Sequence, residues 1–542
     1  MNAEAAARKV HKLRGNEVSI EEIYAQIKLP KTSPEITPAM EINAEKLFLS
    51  AAPEMIDFVD YLKENNKKVI CMSDMYLSGN QIKDLLTTAG FNIDIVISSS
   101  DLRHLDIGKY NGRIFPWFLD KLQLTSEKVL HIGDNFKSDV VNAQRNLVSA
   151  LPVTHVIDAS HSSQTLANTI ARISKQTGCS VIAQSVCKHL HYNHAMINNF
   201  YDFGYTIGGP LVIGFLQFMI KKAEELKISH FGLLARDGAI IQQCLDRVGP
   251  IPFGYRLVPA SRRMCSFAAF ADGEKEFLKN LIGHHKKLSI KQLSKILGFS
   301  DTTSLQSNDD KLPINELLDH WSPELQRLAA IEKAAYVQAL SSEINLLASG
   351  QKIAWADVGW SLSSSRAINS ITGYKTPTIC VGSSSKSQQG GDYGYLFTKG
   401  KPEKTSNKIM SGVEIIELIF SSASASFINA QYVDDTISFK MKDKCQFERQ
   451  RDVFIKDVTA GVISFVTEHW KYIQGVCPSS LQAYNREVFS NILSQPDPNL
   501  QTMLGRVPHD RDPGCANMQY ISSYWAVGEC GLDESVLNSP LI

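Results

Sequence analysis

Hydrophobic and polar positions along this chain follow two rhythms, one helical and one of short strands, and their alternation organises most of the sequence. From Pro53, PEMIDFVDYLKENN reads as an amphipathic helix, KVICMS as a strand and SGNQIKDLLTTAG as a helix closed by Gly90. IDIVISSS is the next strand, RIFPWFLDKLQ a helix, KVLHIG a strand, SDVVNAQRNL a helix, and THVID (154–158) a last strand. Short apolar runs separated by helices indicate a parallel, doubly wound sheet. Upstream, residues 1 to about 50 are helical and polar in pattern. There SIEEIYAQI opens as a capped helix, with Ser19 and Glu22 at capping-box spacing.

A second α/β region follows a mostly helical stretch. SHFGLLARDG (229–238), YRLVPASRR (255–263), KIAWADVGW (352–360) and TPTICVGSS (377–385) are strands that end in polar residues. The pattern predicts a helical region over 1–52, an α/β core over 53–160 and a helical linker over 161–200. A second, Rossmann-like α/β domain follows over 201–430, with a helical insertion near 275–350, and then a mainly helical region over 431–542. At 542 residues the length agrees with roughly three to four domains.

One run, Phe203 to Ile220, has eighteen residues without a charge, the lower limit for a membrane span. It carries four glycines and a proline and lacks a positive-inside flank, so we expect a buried segment and no membrane span. The N-terminal MNAEAAARKVHKLRG has no apolar core to act as a signal peptide. Lys plus Arg equals Asp plus Glu, 56 each, which gives no reason to expect nucleic acid or an anionic membrane as partner. The ten cysteines are scattered with no CxxC pair and read as reduced thiols. A soluble, cytoplasmic protein is the expectation.

Chemistry concentrates where strands end. Asp134 and Asp139 sit in G-D-N-x-x-S-D across a strand-to-helix turn. Mg2+ takes a small number of carboxylate oxygens and fills its other positions with water and substrate phosphate, and two carboxylates on one turn can face one ion. The alternative is a loop aspartate and a helix cap. Ser73, after KKVICM, puts a hydroxyl and free N–H groups at a strand tip, suited to a phosphoryl oxygen or to a plain turn. Lys109, between Gly108 and Gly112 just before a helix, can neutralise phosphate charge or be a surface lysine.

The order of these pieces resembles the haloacid dehalogenase-like (HAD) superfamily after its first motif. In particular it is similar to a bacterial subgroup found with surface-polysaccharide genes. The matching letters are Ser73-Asp74-Met75-Tyr76, Lys109 with Gly112 and Phe115, and His131 to Asn135. The resemblance implies a HAD-like Rossmannoid sheet, with the helices before Pro53 as its small cap. It also implies phosphohydrolase chemistry on a phosphorylated small-molecule substrate such as a sugar phosphate. By the same resemblance Asp134 and Asp139 serve Mg2+, Ser73 the phosphoryl oxygen and Lys109 charge neutralisation. The family's first motif, a strand ending D-x-D with the nucleophilic aspartate, has no counterpart before Ser73: Asp57 and Asp60 lie in a helix, and Met1 falls inside the cap. The first strand of the sheet is therefore expected to be absent, its neighbours to be left unpaired, and turnover to be impaired.

The resemblance extends more weakly into the second region through Arg236-Asp237-Gly238, Ser261-Arg262-Arg263 and Asp357-Val358-Gly359-Trp360. Asp237 and Asp357 at two strand ends, with Arg236 and Arg262, can form an anion or sugar-phosphate site, or a structural ion-pair network. Two competing readings are a non-catalytic binding or assembly protein for polysaccharide synthesis and a transferase-type second domain. The sequence leaves substrate and oligomeric state open.

Overall fold

The computed structural model describes residues 6–9, 17–27, 36–49, 51, 53–153, 166–192, 197–282, 285–299, 310–384, 391–398, 406–410, 412–495, 497–510 and 518–521. The chain divides into two compact units, Met1–Ala159 and Ser160–Ile542.

In the first unit, Ser19 caps the helix Ile20–Tyr24 and Glu22 returns the bond, the reciprocal box that the sequence predicts. Ser78 and Gln81 do the same for the helix Gly79–Thr88. Four short strands alternate with helices: β1 (Ile70–Ser73), β2 (Ile95–Ser98), β3 (Leu130–Gly133) and β4 (Ser149–Pro152). The expected strand at 154–158 lies outside the described residues, and β4 runs just before it. Pairing is parallel throughout but comes as two separate pairs, β1 with β2 and β3 with β4. Among the described residues no strand joins β1 to β3. The pairs share one apolar core: Ile114, Phe115 and Phe118 of the helix Ile114–Leu122 pack with Met72, Ile97 and Ala150.

The second unit is built on a five-stranded, all-parallel sheet. Its strands are β5 (His230–Leu234), β6 (Gly254–Val258), β7 (Ile353–Asp357), β8 (Thr378–Ser383) and β9 (Asp392–Thr398), in the order β9-β8-β7-β5-β6. β7 is buried along its whole length, as a strand covered on both faces requires. The chain leaves β5 for β6 on one side and returns to β7 on the other, so the strand order reverses between β5 and β7. The segment between β6 and β7 holds the helices Lys275–Ile282, Ile290–Ile296, Ile314–Ala339 and Ser341–Ala348, as its Leu- and Lys-rich pattern predicts.

The apolar run from Phe203 belongs to a helix, Phe200–Leu226, long and apolar enough to cross a membrane, with 83% of its most apolar window buried inside the unit. Its glycines are contact points. A Cβ on Gly204 would lie 2.1 Å from the Val458 carbonyl oxygen, and one on Gly461 2.1 Å from that of Tyr201. The helices Phe200–Leu226 and Gln446–Ile473 therefore cross with their backbones nearly touching.

One correction concerns the chain after 430, which the sequence pattern makes helical. An antiparallel hairpin, β10 (Phe427–Val433) and β11 (Thr436–Met441), extends across that boundary before the helices begin. Asp434 and Asp435 form its turn with φ of 47° and 58°. Two-residue hairpin turns of this hand favour Asn, Asp and Gly.

Candidate functional site

In the first unit the chemistry gathers where β1 and β3 end. Ser73 is the last residue of β1, and its carbonyl accepts the Ser99 N–H at 2.9 Å. The next residue, Asp74, spends both carboxylate oxygens on the lysine loop, accepting the N–H of Lys109 at 2.8 Å and of Tyr110 at 2.6 Å. Asn142 clamps the same loop by donating to the Lys109 and Tyr110 carbonyls at 2.7 and 3.2 Å. The lysine is thereby aimed: its Nζ donates to Asp139 Oδ1 at 2.7 Å, where His131 Nε2 also sits at 3.0 Å. The Asn135 N–H donates to the other oxygen at 3.0 Å.

Asp139 is 1% exposed. Burial pushes its carboxyl up, but the hydrogen bonds from Lys109 and His131 outweigh burial and hold it below the ordinary value. Burial and the nearby lysine charge lower His131 against the pull of Asp139, and because an ionised carboxylate only accepts, Nε2 is the donor between them. Gly133 is needed beside them, since a Cβ there would come within 2.4 Å of the Asp139 carboxylate.

The structure thus joins Lys109 to Asp139 and holds the residue after Ser73 against the lysine loop. Asp134 stands apart, exposed on the turn, with no hydrogen bond or ion pair among the described residues. No group of three or more His, Cys, Asp or Glu side chains gathers among the described residues. Asp139 Oδ1 accepts from Lys109 and His131 and Oδ2 from the Asn135 N–H, whereas Asp134 is open. One carboxylate, with water and a substrate phosphate, satisfies the sparse protein ligation of Mg2+. Asp134 would hold the ion, which would offset phosphate charge there. Asp74, His131 and Asn142 were not legible as site residues, although Asp74 stands in the quoted SDMY and His131 in HIGDN.

The second unit has its own constellation at the carboxyl edge of its sheet. A cavity of about 370 Å³ opens there, lined by Arg236, Asp237, Arg262, Asp357 and Arg451. Asp237 follows β5 and Asp357 ends β7, so the two acids flank the point where strand order reverses, where open α/β sheets bind ligands. Burial pushes Asp237 up to about 6, against the pull of Arg236. It pushes Asp357 up to about 7, and the charge of Asp237 adds to the effect. The structure brings all four residues that the sequence singled out here into one cavity and adds Arg451, from a helix some two hundred residues further on, which no sequence pattern marked.

Residues 3–145 match the family model for haloacid dehalogenase-like hydrolases. The first unit therefore carries a HAD-like hydrolase domain, of the superfamily whose members generally use Mg2+. No curated protein matches the chain.

Proposed function

We propose that the first unit recognises a phosphorylated small molecule, such as a sugar phosphate, in the manner of a HAD-like phosphohydrolase, and that the chain turns it over poorly. The carrying observation is the clamped Lys109, held by Asp74 and Asn142 and charge-balanced by buried Asp139. A fixed ammonium stabilises phosphoryl charge without reorganisation. Ser73 would take a phosphoryl oxygen, and Mg2+ at Asp134 would share the neutralisation.

Poor turnover follows from the strands: ICMS, IVIS, LHIG and SALP end in no aspartate, so none of the described strands of this unit presents the nucleophile that HAD chemistry uses. The same observation favours a second reading, phosphoester binding without turnover.

Phosphate release from a panel of phosphosugars, with Mg2+, tests the proposal alongside calorimetric binding. We expect binding that weakens on Lys109→Met and release near background. Robust release abolished by Asp134→Asn would refute the impairment, and an absence of binding to every phosphosugar would refute the recognition.

A further inference from the structure

We propose that the cavity in the second unit is a binding site for a phosphate ester of a polyol, with Arg236 and Arg262 gripping the phosphate and a serine-lined wall taking the hydroxyls. This rests on the second unit alone and does not depend on the reading of the first.

Three observations carry it. The first is positive charge with free donors. The side chains of Arg236 and Arg262 line the cavity and form no hydrogen bond or ion pair with any other described residue. Arg451 reaches Ser421 Oγ at 3.0 Å through Nη2, while its buried Nε has no partner among the described residues. Of the lysines lining the cavity, Lys442 pairs with Glu448 and Lys444 with Asp452. Planar guanidiniums with free donors match phosphate oxygens in pairs.

The second is an open helix end. The ten-residue helix Ser363–Thr372 begins after Leu362, which has φ of 57° and provides no side-chain cap. Its first N–H groups have no acceptor within the helix, and such an end attracts an anion. Ser363 and Ser364 of this turn line the same cavity as the arginines.

The third is the wall. Ser361, Ser363 and Ser426 line the cavity with hydroxyls that form no hydrogen bond among the described residues. Hydroxyls that both donate and accept suit the alternating demands of a polyol. At about 370 Å³ the space lies near the lower end of small-molecule sites, roughly 300–1,000 Å³, and fits a ligand of monosaccharide size. The two acids at its floor, partly protonated near neutrality, would not repel a bound anion as two full charges would.

Hydrogen exchange and thermal melting of the full chain, without divalent cation, test this with glucose 6-phosphate, inorganic phosphate and glucose as probes. We expect glucose 6-phosphate to protect amides in 234–240 and 357–366 and to raise Tm more than phosphate does, with glucose inert. Arg262→Gln, at an exposed position, should weaken the effect about tenfold, and Asp134→Asn in the first unit should leave it unchanged. Protection confined to the first unit, or affinity unaltered by Arg262→Gln, would overturn the site. Equal effects of phosphate and glucose 6-phosphate would overturn the polyol assignment. The exchange pattern of the unaltered chain decides the location even if the variant folds poorly.

Discussion

Two of the buried aspartates, Asp139 and Asp357, are treated in opposite ways. Asp139 is compensated by Lys109, His131 and the Asn135 N–H, and its carboxyl is held low. That stabilisation is present above the ordinary carboxylate range and fades as pH falls through the depressed value. Lys109→Met leaves a nearly inaccessible carboxylate short of its main partner and should cost about 3 kcal/mol in urea unfolding at pH 7. The double change Lys109→Met with Asp139→Asn should recover part of the loss, because no charge is then stranded.

Asp357 is the reverse case. Its folded-state value is about 7 against an ordinary 3.8, so between those limits the folded chain holds more protons than the unfolded one. Stability contributed by this group therefore falls as pH rises across that window. Asp357→Asn should melt higher than the natural chain at pH 8, with the gap narrowing steadily towards pH 4. A gap that does not depend on pH would show that the carboxyl does not carry this linkage.

At the level of elements, local rules determined most of what was legible. The box at Ser19 and Glu22, the strands KVICMS and KIAWADVGW, and the helix stop at Gly90, with φ of 98°, all follow from a few neighbouring residues. The hairpin Phe427–Met441 was missed because its Asp434-Asp435 turn lacks the glycine that usually marks such turns. The glycines of the apolar run could be counted, but their purpose lies in another helix two hundred and fifty residues away. Gly204→Ala should force apart the crossing with Gln446–Ile473 and lower stability by about 1–3 kcal/mol, read from the urea midpoint. Gly249→Ala, with open space around its Cβ though a φ of 85°, is the control for backbone strain without a clash.

For the molecule as a whole, both units place their reactive side chains where parallel strands end, and that much can be read from apolar runs that stop in Ser, Asp or Arg. The first unit could be read furthest because Ser73, Lys109 and Asp139 stand within motifs of fixed order. What escaped the sequence is convergence: which carboxylate faces the lysine, that Asp74 anchors its loop, and that Arg451 completes the second cavity. These depend on how distant helices pack, and no local spacing encodes them.

Among the described residues the two strand pairs of the first unit leave β1, β2, β3 and β4 each with a single neighbour, and Leu130 and Leu151, on β3 and β4, are 58% and 50% exposed. Bare amide rows flanked by leucines are templates for a foreign chain. Concentrated solutions should accordingly cluster, with light scattering that grows with protein concentration and subsides when lysine replaces Leu130 and Leu151.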